Sequence, residues 1–551
     1  MTKPQNSHPV TRALWKANIL LAALVLHGAL CGSACAQESA ASGVVRNLAA
    51  PPLARTATTA LLMWDRPAAE GIASYEIYRD SVLAGETKRL SYTATNLAAG
   101  RSYRFTVRSR QASGKAAAES RPVVVETKPA GRIFNVKEFG ARGDGVTKDT
   151  AAIQKAIAAC APGGTVLIPP GVYSVDHLEL KSDMTFELAT GATLQFLGRG
   201  AGEYPTTKVK LPGPDGEVEV SDFALITALR ARNLTITGSG IIRGNGETWW
   251  PHKEAPRPRI LKLTACADVF VQGITLDDPP AWNTHIVYGD RAVFSEVKFR
   301  KMSTAPGTNG DGLNPDSSRD VLIIGCTFAN QDDSIAIKAV GVTRERTRRQ
   351  RSCENITIRD CLFDGTLAPG ARPLGFAVGS ETGGGVRHVL VKDCVFRDAA
   401  ALAHIKTNRA RPGAVVEDIR IENCVYTNTV HRERKYNPAP FSIDLFYYDD
   451  DAHDAAAPLT PATPVFRDIH FKNIVVENPM GRFAYFCGLA ELPVRGITLD
   501  NVTGTAKLGF HGQNLDGIEL RNVVVQAKEG PPFVWVNVKN RTDLPAAPGK
   551  P

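Results

Sequence analysis

From residue 230 onward the chain repeats one short pattern nine times, and that repetition limits the fold more than any other feature. The units are Asn233-Leu234-Thr235-Ile236, Asp268-Val269-Phe270-Val271, Asp320-Val321-Leu322-Ile323, Asn355-Ile356-Thr357-Ile358, His388-Val389-Leu390-Val391, Asp418-Ile419-Arg420-Ile421, Asp468-Ile469-His470-Phe471, Gly496-Ile497-Thr498-Leu499 and Gly517-Ile518-Glu519-Leu520. Most are followed by an Asn, Asp or Gly turn and a second short apolar run. The spacing runs from about 21 to about 50 residues, with insertions in the longest gaps. A single unit is too small to bury its own apolar face, so neighbours must stack. The expected architecture is all-β, a parallel β-helix, right-handed by the crossover preference.

The first 36 residues read as a signal peptide. Lys3, Arg12 and Lys16 form a basic region, Ile19 to Leu26 an apolar one, and Ala34-Cys35-Ala36 a small-residue cleavage site. Lipid attachment at Cys35 is the alternative, but Gly32-Ser33-Ala34 before it lacks the usual Leu. No other apolar run is long enough to span a membrane. An exported protein, periplasmic or secreted, is expected. The formal charge of +9 falls by the three signal-region cations to 9 − 3 = +6. That excess suits a polyanionic substrate without requiring one. Eight cysteines follow the signal region. Cys326, Cys361, Cys394 and Cys424 recur at one repeat position, which favours stacked, buried thiols. Cys353 and Cys361 are the one pair placed to bridge a loop. With no CxxC pair, no metal site is expected.

Two regions precede the repeat. In residues 44–127, Leu62-Met63-Trp64-Asp65, Ser74 to Arg79 and Ser102 to Arg108 alternate as strands between turns. Trp64, the Tyr75/Ile77 strand and Leu97-x-x-Gly100-x-x-Tyr103 resemble a fibronectin type III domain, a β-sandwich serving as a substrate anchor or a plain spacer. Residues 132–545 then form the second unit. It opens with Phe139-Gly140-Ala141-Arg142-Gly143-Asp144-Gly145 and a helix from Ala151 to Cys160, with Ile153, Ala156, Ile157 and Cys160 on one face and Asp149 or Thr150 as cap. No GKS or GKT follows the glycines, so this is no phosphate loop.

The chemistry concentrates at Asn309-Gly310-Asp311 and Gln331-Asp332-Asp333. A step of 21 residues is about one coil, which sets Asp311 beside Asp332 on the next rung, about 4.8 Å away at the backbone. Glycoside hydrolysis needs a proton donor and a water activator, and inverting pairs stand roughly 6.5–9.5 Å apart. Clustered carboxylates repel, so one should keep its proton near neutral pH. Adjacent Asp332 and Asp333 would face opposite ways on a flat strand, so a bend is expected there.

Together with the glycine-rich start and the repeat, these residues resemble glycoside hydrolase family 28, the polygalacturonases, over roughly residues 132–540. That family has a pectin-lyase-like β-helix and carries the motifs NTD, DD, GHG and RIK in order. Here they stand as Asn309-Gly310-Asp311, Asp332-Asp333, a stretch around Arg372-Pro373-Leu374-Gly375, and His404-Ile405-Lys406. The resemblance implies Asp332 as general acid, with Asp311 and Asp333 activating water. It implies substrate contacts from Asn309, His404, Lys406, Glu381 and Trp282. No histidine lies at 372–375, so that family role is absent or supplied elsewhere, with Arg372 as the candidate, and strict polygalacturonan specificity is in question.

Two insertions, Val340 to Ser352 with five arginines and residues 428–465, suit loops that close one end of a groove. The implied activity is therefore exo-hydrolysis of α-1,4-galacturonide linkages with inversion, releasing digalacturonate or galacturonate from the non-reducing end. The alternatives are an endo-polygalacturonase, a rhamnogalacturonan or xylogalacturonan hydrolase, a Ca²⁺-dependent pectate lyase and a non-catalytic carbohydrate-binding β-helix. The expected partner is a pectic polysaccharide or oligogalacturonide, with no cofactor, no nucleic acid and a monomeric chain.

Overall fold

The computed structural model describes residues 43–213, 216–252, 254–339, 351–409, 415–429, 439–447 and 455–544. The signal-region reading, Cys35, residues 340–350 with four of the five arginines, and most of residues 430–454 lie outside these.

Residues 133–544 build one long parallel ladder. Each strand pairs with its equivalent one coil later, as in Leu234↔Val269, Val269↔Ala292, Ala292↔Val321 and Val321↔Ile356. All nine repeat units are strands in it, so the chain forms a parallel β-helix. The turn residue that opens each unit explains the repeat's composition. Asn233, Asp268, Asp320, Asn355, Asp418 and Asp468 all take φ between 52° and 59°. Asn and Asp tolerate this left-handed region better than other side chains, and Gly tolerates it best. Gly164–Ile168 and Met184–Leu188 extend the same column ahead of the nine units, and within them Asp290–Ser295 stacks between its neighbours, with Arg291 holding the left-handed position at φ 59°. An arginine there hides the signal.

Inward side chains stack rung upon rung. The rings of Phe299, Phe328, Phe363 and Phe396 stack nearly parallel, their centres 4.8, 4.9 and 4.3 Å apart. The eight cysteines among the described residues are buried and none forms a disulfide, so Cys353 and Cys361 do not bridge. They sit at opposite ends of the strand Cys353–Arg359, and each thiol donates to a backbone carbonyl, of Pro315 and Arg359 respectively. The helix Thr150–Ala159 turns Ile153, Ala156 and Ile157 into the end of this core. Asp149 makes no side-chain cap; its carboxylate instead accepts from the Arg142 and Gly143 amides.

Ahead of the ladder, residues 46–126 form a three-stranded and a four-stranded antiparallel sheet closed over Trp64, Tyr75, Ile77, Phe105 and Val107. This sandwich is seated on the side of the β-helix. Ala54 and Leu61 pack with Phe270, Val293 and Ile324 in a buried apolar cluster. Around it, Arg89 donates to the carbonyls of Gly325 and Asp360, both at 2.9 Å, and Ser91 bonds Asp360. Lys392 pairs with Asp65 at 2.8 Å, and Arg359 donates to the Trp64 carbonyl.

Candidate active site

One edge of the ladder carries outward-facing polar residues in register. Lys262 lies beside His285, His285 beside Asn314, and further along Ala377 beside His404 and His404 beside Ser442. Two residues on, Asp316 bridges Lys338, and Gly379 pairs with Lys406. The three carboxylates sit at the turns entering this edge.

The register corrects the expected pairing of those carboxylates. Leu313 pairs with Ile335, and the Gly312 and Leu313 amides donate to the Asp333 and Ser334 carbonyls. The step is thus 22 residues, and Asp333, not Asp332, lies opposite Asp311. Asp332 is the extra residue, and its φ of 93° makes the bend that adjacent carboxylates require. A bend here brings the charges of both Asp332 and Asp333 to bear on Asp311.

Asp311 and Asp333 are buried, whereas Asp332 is half-buried. Burial, then the charges of Asp332 and Asp333, push Asp311 far above the ordinary carboxylate range. The cluster therefore retains a proton at pH values where isolated aspartates have lost theirs, and that proton belongs to the coupled group. The Asn314 amide donates to Asp311 Oδ2 at 2.8 Å, and the Asn283 amide to the Asp311 carbonyl at 3.0 Å. Lys406 grips both oxygens of Asp333, at 2.8 and 3.1 Å.

The other expected residues divide. Trp282 is half-buried on the groove side, with Arg259 4.5 Å and Lys338 5.0 Å from its ring centre. Asn309 is exposed and its side-chain Oδ1 accepts from Arg257 at 2.8 Å. Glu381 bonds Lys338 at 2.9 Å. His404 is buried, its ring 5.4 Å from and nearly perpendicular to that of Tyr447. Arg372 is exposed and pairs by register with Gln331, while Pro373 pairs with Asp332; its charge acts on Lys301. Within the stretch that lacks the histidine, Leu374 is buried and its backbone amide donates to the Asp332 carbonyl at 2.9 Å. Arg351 is turned away, donating to the Ser317 and Gly289 carbonyls.

Sequence reasoning missed Lys338, Asn314, Asn283 and His285. His285 donates to Asp316 at 3.2 Å; burial, then Lys262 and Arg259, keep it neutral. The available signal was the strand period, since residues 314 and 316, or 336 and 338, share the outward face that 404 and 406 do.

The groove floor is roofed at one end. Lys262 and Thr264 are fully buried, and they bond the Ser221 carbonyl and the Asp222 carboxylate. Ser221 ends the hairpin of Lys208–Gly213 and Gly216–Ser221, which packs Val209, Leu211, Val218 and Val220 against Val287 and Tyr288. Beyond the carboxylates the floor reopens at half-buried Tyr485 and His511, stacked at 5.4 Å. Among the described residues no group of three or more His, Cys, Asp or Glu is arranged to hold a metal ion.

Residues 163–514 match the family Glycosyl hydrolases family 28, and residues 44–126 match the Fibronectin type III domain. An exo-poly-alpha-D-galacturonosidase of Dickeya chrysanthemi is 25% identical over 79% of this chain and 82% of its own length. An endo-polygalacturonase of Pectobacterium carotovorum is 27% identical over 66% of this chain and 86% of its own. The structure of the Yersinia enterocolitica family 28 exopolygalacturonase overlays with a TM-score of 0.72, covering 90% of this chain and 99% of that one at 22% identity.

Proposed function

The chain belongs to glycosyl hydrolases family 28 and is a glycoside hydrolase, and on that premise we propose that it acts on pectic galacturonan from a chain end. The reaction is hydrolysis of α-1,4-galacturonide linkages with inversion, releasing galacturonate or digalacturonate from the non-reducing end. Asp332, the most accessible of the three carboxylates, donates its proton to the departing glycosidic oxygen. Asp311 and Asp333 take the proton of a water attacking the opposite face of the sugar. Lys406 orients Asp333 for that task through both carboxylate oxygens and, with Arg257 and Arg259, supplies positive charge for uronate carboxylates. Trp282 offers a flat apolar face for a sugar ring.

The sealed floor at Lys262 and Thr264 carries the exo reading, because a polymer cannot pass through a groove whose end is roofed by Ser221 and Asp222. This is a different closure from the arginine-rich insertion expected from sequence. The Dickeya relative bears an exo-acting name, which supports the same reading.

Time-resolved product analysis on polygalacturonate tests it, with Asp332→Asn as control. Immediate mono- or digalacturonate with slow loss of viscosity is expected. An early ladder of oligomers with rapid loss of viscosity would make the enzyme endo-acting. Turnover confined to rhamnogalacturonan or xylogalacturonan would move the substrate, in keeping with the absence of a histidine at residues 372–375.

A further inference from the structure

The three carboxylates lie on two turns, one entering the strand Leu313–Asp316 and one entering Ile335–Ile337. Their separation decides the chemistry, because an inverting pair must leave room for a water, roughly 6.5–9.5 Å between carboxyl groups. Asn330 joins the two turns from inside. It is fully buried. Its side-chain nitrogen lies 3.0 Å from the Gly310 carbonyl oxygen and 3.2 Å from each of the Asp332 and Asp333 carbonyl oxygens. Its side-chain oxygen accepts from the Ser334 hydroxyl at 2.8 Å. Carbonyls can only accept, so the nitrogen must face them, and its two N–H groups are shared among the three.

We propose that Asn330 is a positioning residue for the hydrolysis, one that fixes how Asp311, Asp332 and Asp333 stand relative to one another. The proposal rests on the glycoside-hydrolase reading of the site and deepens it. A peptide unit is planar, so holding its carbonyl oxygen orients the whole plane. The Gly310 carbonyl belongs to the plane that ends at the Asp311 nitrogen. The Asp332 and Asp333 carbonyls belong to the two planes that flank the Asp333 Cα. One amide therefore restrains the backbone on at least one side of every carboxylate. The restraint falls where the chain is least at ease, since Asp332 takes φ 93°, a conformation that a residue with a Cβ rarely adopts.

The neighbouring contacts leave this task to a group inside the turns. Arg257 holds the outer side of the first turn, donating to the Thr308 carbonyl and to Asn309 Oδ1, both at 2.8 Å. The ladder beneath is carried by other groups. Leu313 pairs with Ile335 and Ile335 with Phe376 through the backbone, and Phe328 stacks on Phe363 in the core. Loss of the Asn330 amide should therefore shift the turns while the rungs stay in place.

The test uses the full-length enzyme on polygalacturonate, or on the branched pectin if that is its substrate. In Asn330→Ala, kcat falls by about 10- to 100-fold, the order expected when reacting groups move by up to about 1 Å. KM stays within about threefold. In an Asp332→Asn background the same substitution costs clearly less, because groups that act as one unit lose their effects together. Phe363→Leu is the control for stability: it lowers the melting temperature and leaves kcat and KM in place. Asn330→Ser, whose hydroxyl keeps the site polar, repeats the series if the alanine variant does not fold. An unchanged kcat, an equal loss in both backgrounds, or a loss that disappears once the melt is allowed for overturns the proposal. Failure of both Asn330 variants to fold also overturns it, by making the residue a determinant of folding alone. If Asp332→Asn itself leaves kcat intact, the hydrolase reading of the acid fails first, and that result is visible without any Asn330 variant.

Discussion

Asp65 at the sandwich seat and Asp311 in the groove are both pushed by burial toward the neutral acid, yet they end on opposite sides of the ordinary range. Asp65 is met by Asn47, Lys392 and Arg359, whose bonds and charges outweigh burial and hold it low. Asp311 is met chiefly by Asp332 and Asp333, which add to burial and drive it high. The same solenoid thus uses one kind of side chain as a fastener on one face and as a reagent on another. What separates them is the sign of the neighbouring charge, since the cost of burial is common to both.

Breaking the reagent has the largest expected effect. Asp332→Asn removes the proton donor and should lower kcat by about 10²–10⁴-fold, the range for general acid catalysis, with an unchanged thermal melt. A residual rate within a few-fold of wild type would mean that another carboxylate delivers the proton, with Asp311 the first suspect because burial and its two carboxylate neighbours favour its protonated form.

The seat should respond in the reverse manner. Phe270 is fully buried between Leu61, Val293 and Ile324, so Phe270→Ala should cost about 3–5 kcal/mol of stability and leave kcat nearly unchanged below the melt. If the ladder alone fixed stability, the loss would be no larger than for an exposed residue, and the sandwich would be a loosely held appendage.

A matched pair of neutral substitutions tests the comparison itself. The folded-state value of Asp65 is depressed, so its contribution is present above about pH 4 and is lost as pH falls through that depressed value. Asp65→Asn should lose stability at neutral pH and flatten the acid side of the stability curve. For Asp311 the folded value is raised. Its ionisation therefore removes stability as pH rises from about 4 through that raised value. Asp311→Asn should be inactive yet more stable than wild type at neutral pH, with a difference that vanishes in acid. Melting temperatures across the pH range decide it; two curves displaced in the same direction would erase the distinction between fastener and reagent.

How much of this contrast is legible in the sequence follows from what sets each part. The ladder is legible because left-handed turns favour Asn, Asp or Gly; the rung that Arg291 enters is hidden because an arginine carries no such signal. The carboxylates are legible because they are neighbours along the chain. The one-residue error in their pairing arose because the Asp332 bend adds a residue that no spacing count reveals. Lys338 lay within reach of the strand period, had it been applied to every rung and not only to His404 and Lys406. The seat was out of reach. Phe270, Val293 and Ile324 each read as ordinary alternating strand residues, and nothing in the sequence says that their outward face meets Ala54 and Leu61, some 200 residues away.

The smallest expected effect lies at the rim of that seat. Arg89 donates to the carbonyls of Gly325 and Asp360, and its side chain is 40% exposed. Water can replace much of what it offers, so Arg89→Ala should cost only about 1 kcal/mol. Asp360 makes the result informative. It is pushed upward by burial, although Arg89 and the Ser91 hydroxyl pull it down. Without Arg89 it should rise further and begin to resemble Asp311, a buried carboxylate lacking its cation. The variant should therefore lose more stability at pH 8 than at pH 5, because the unanswered charge forms only as the proton leaves. Equal losses at both values would mean that Arg89 serves the seat through its two carbonyl bonds alone.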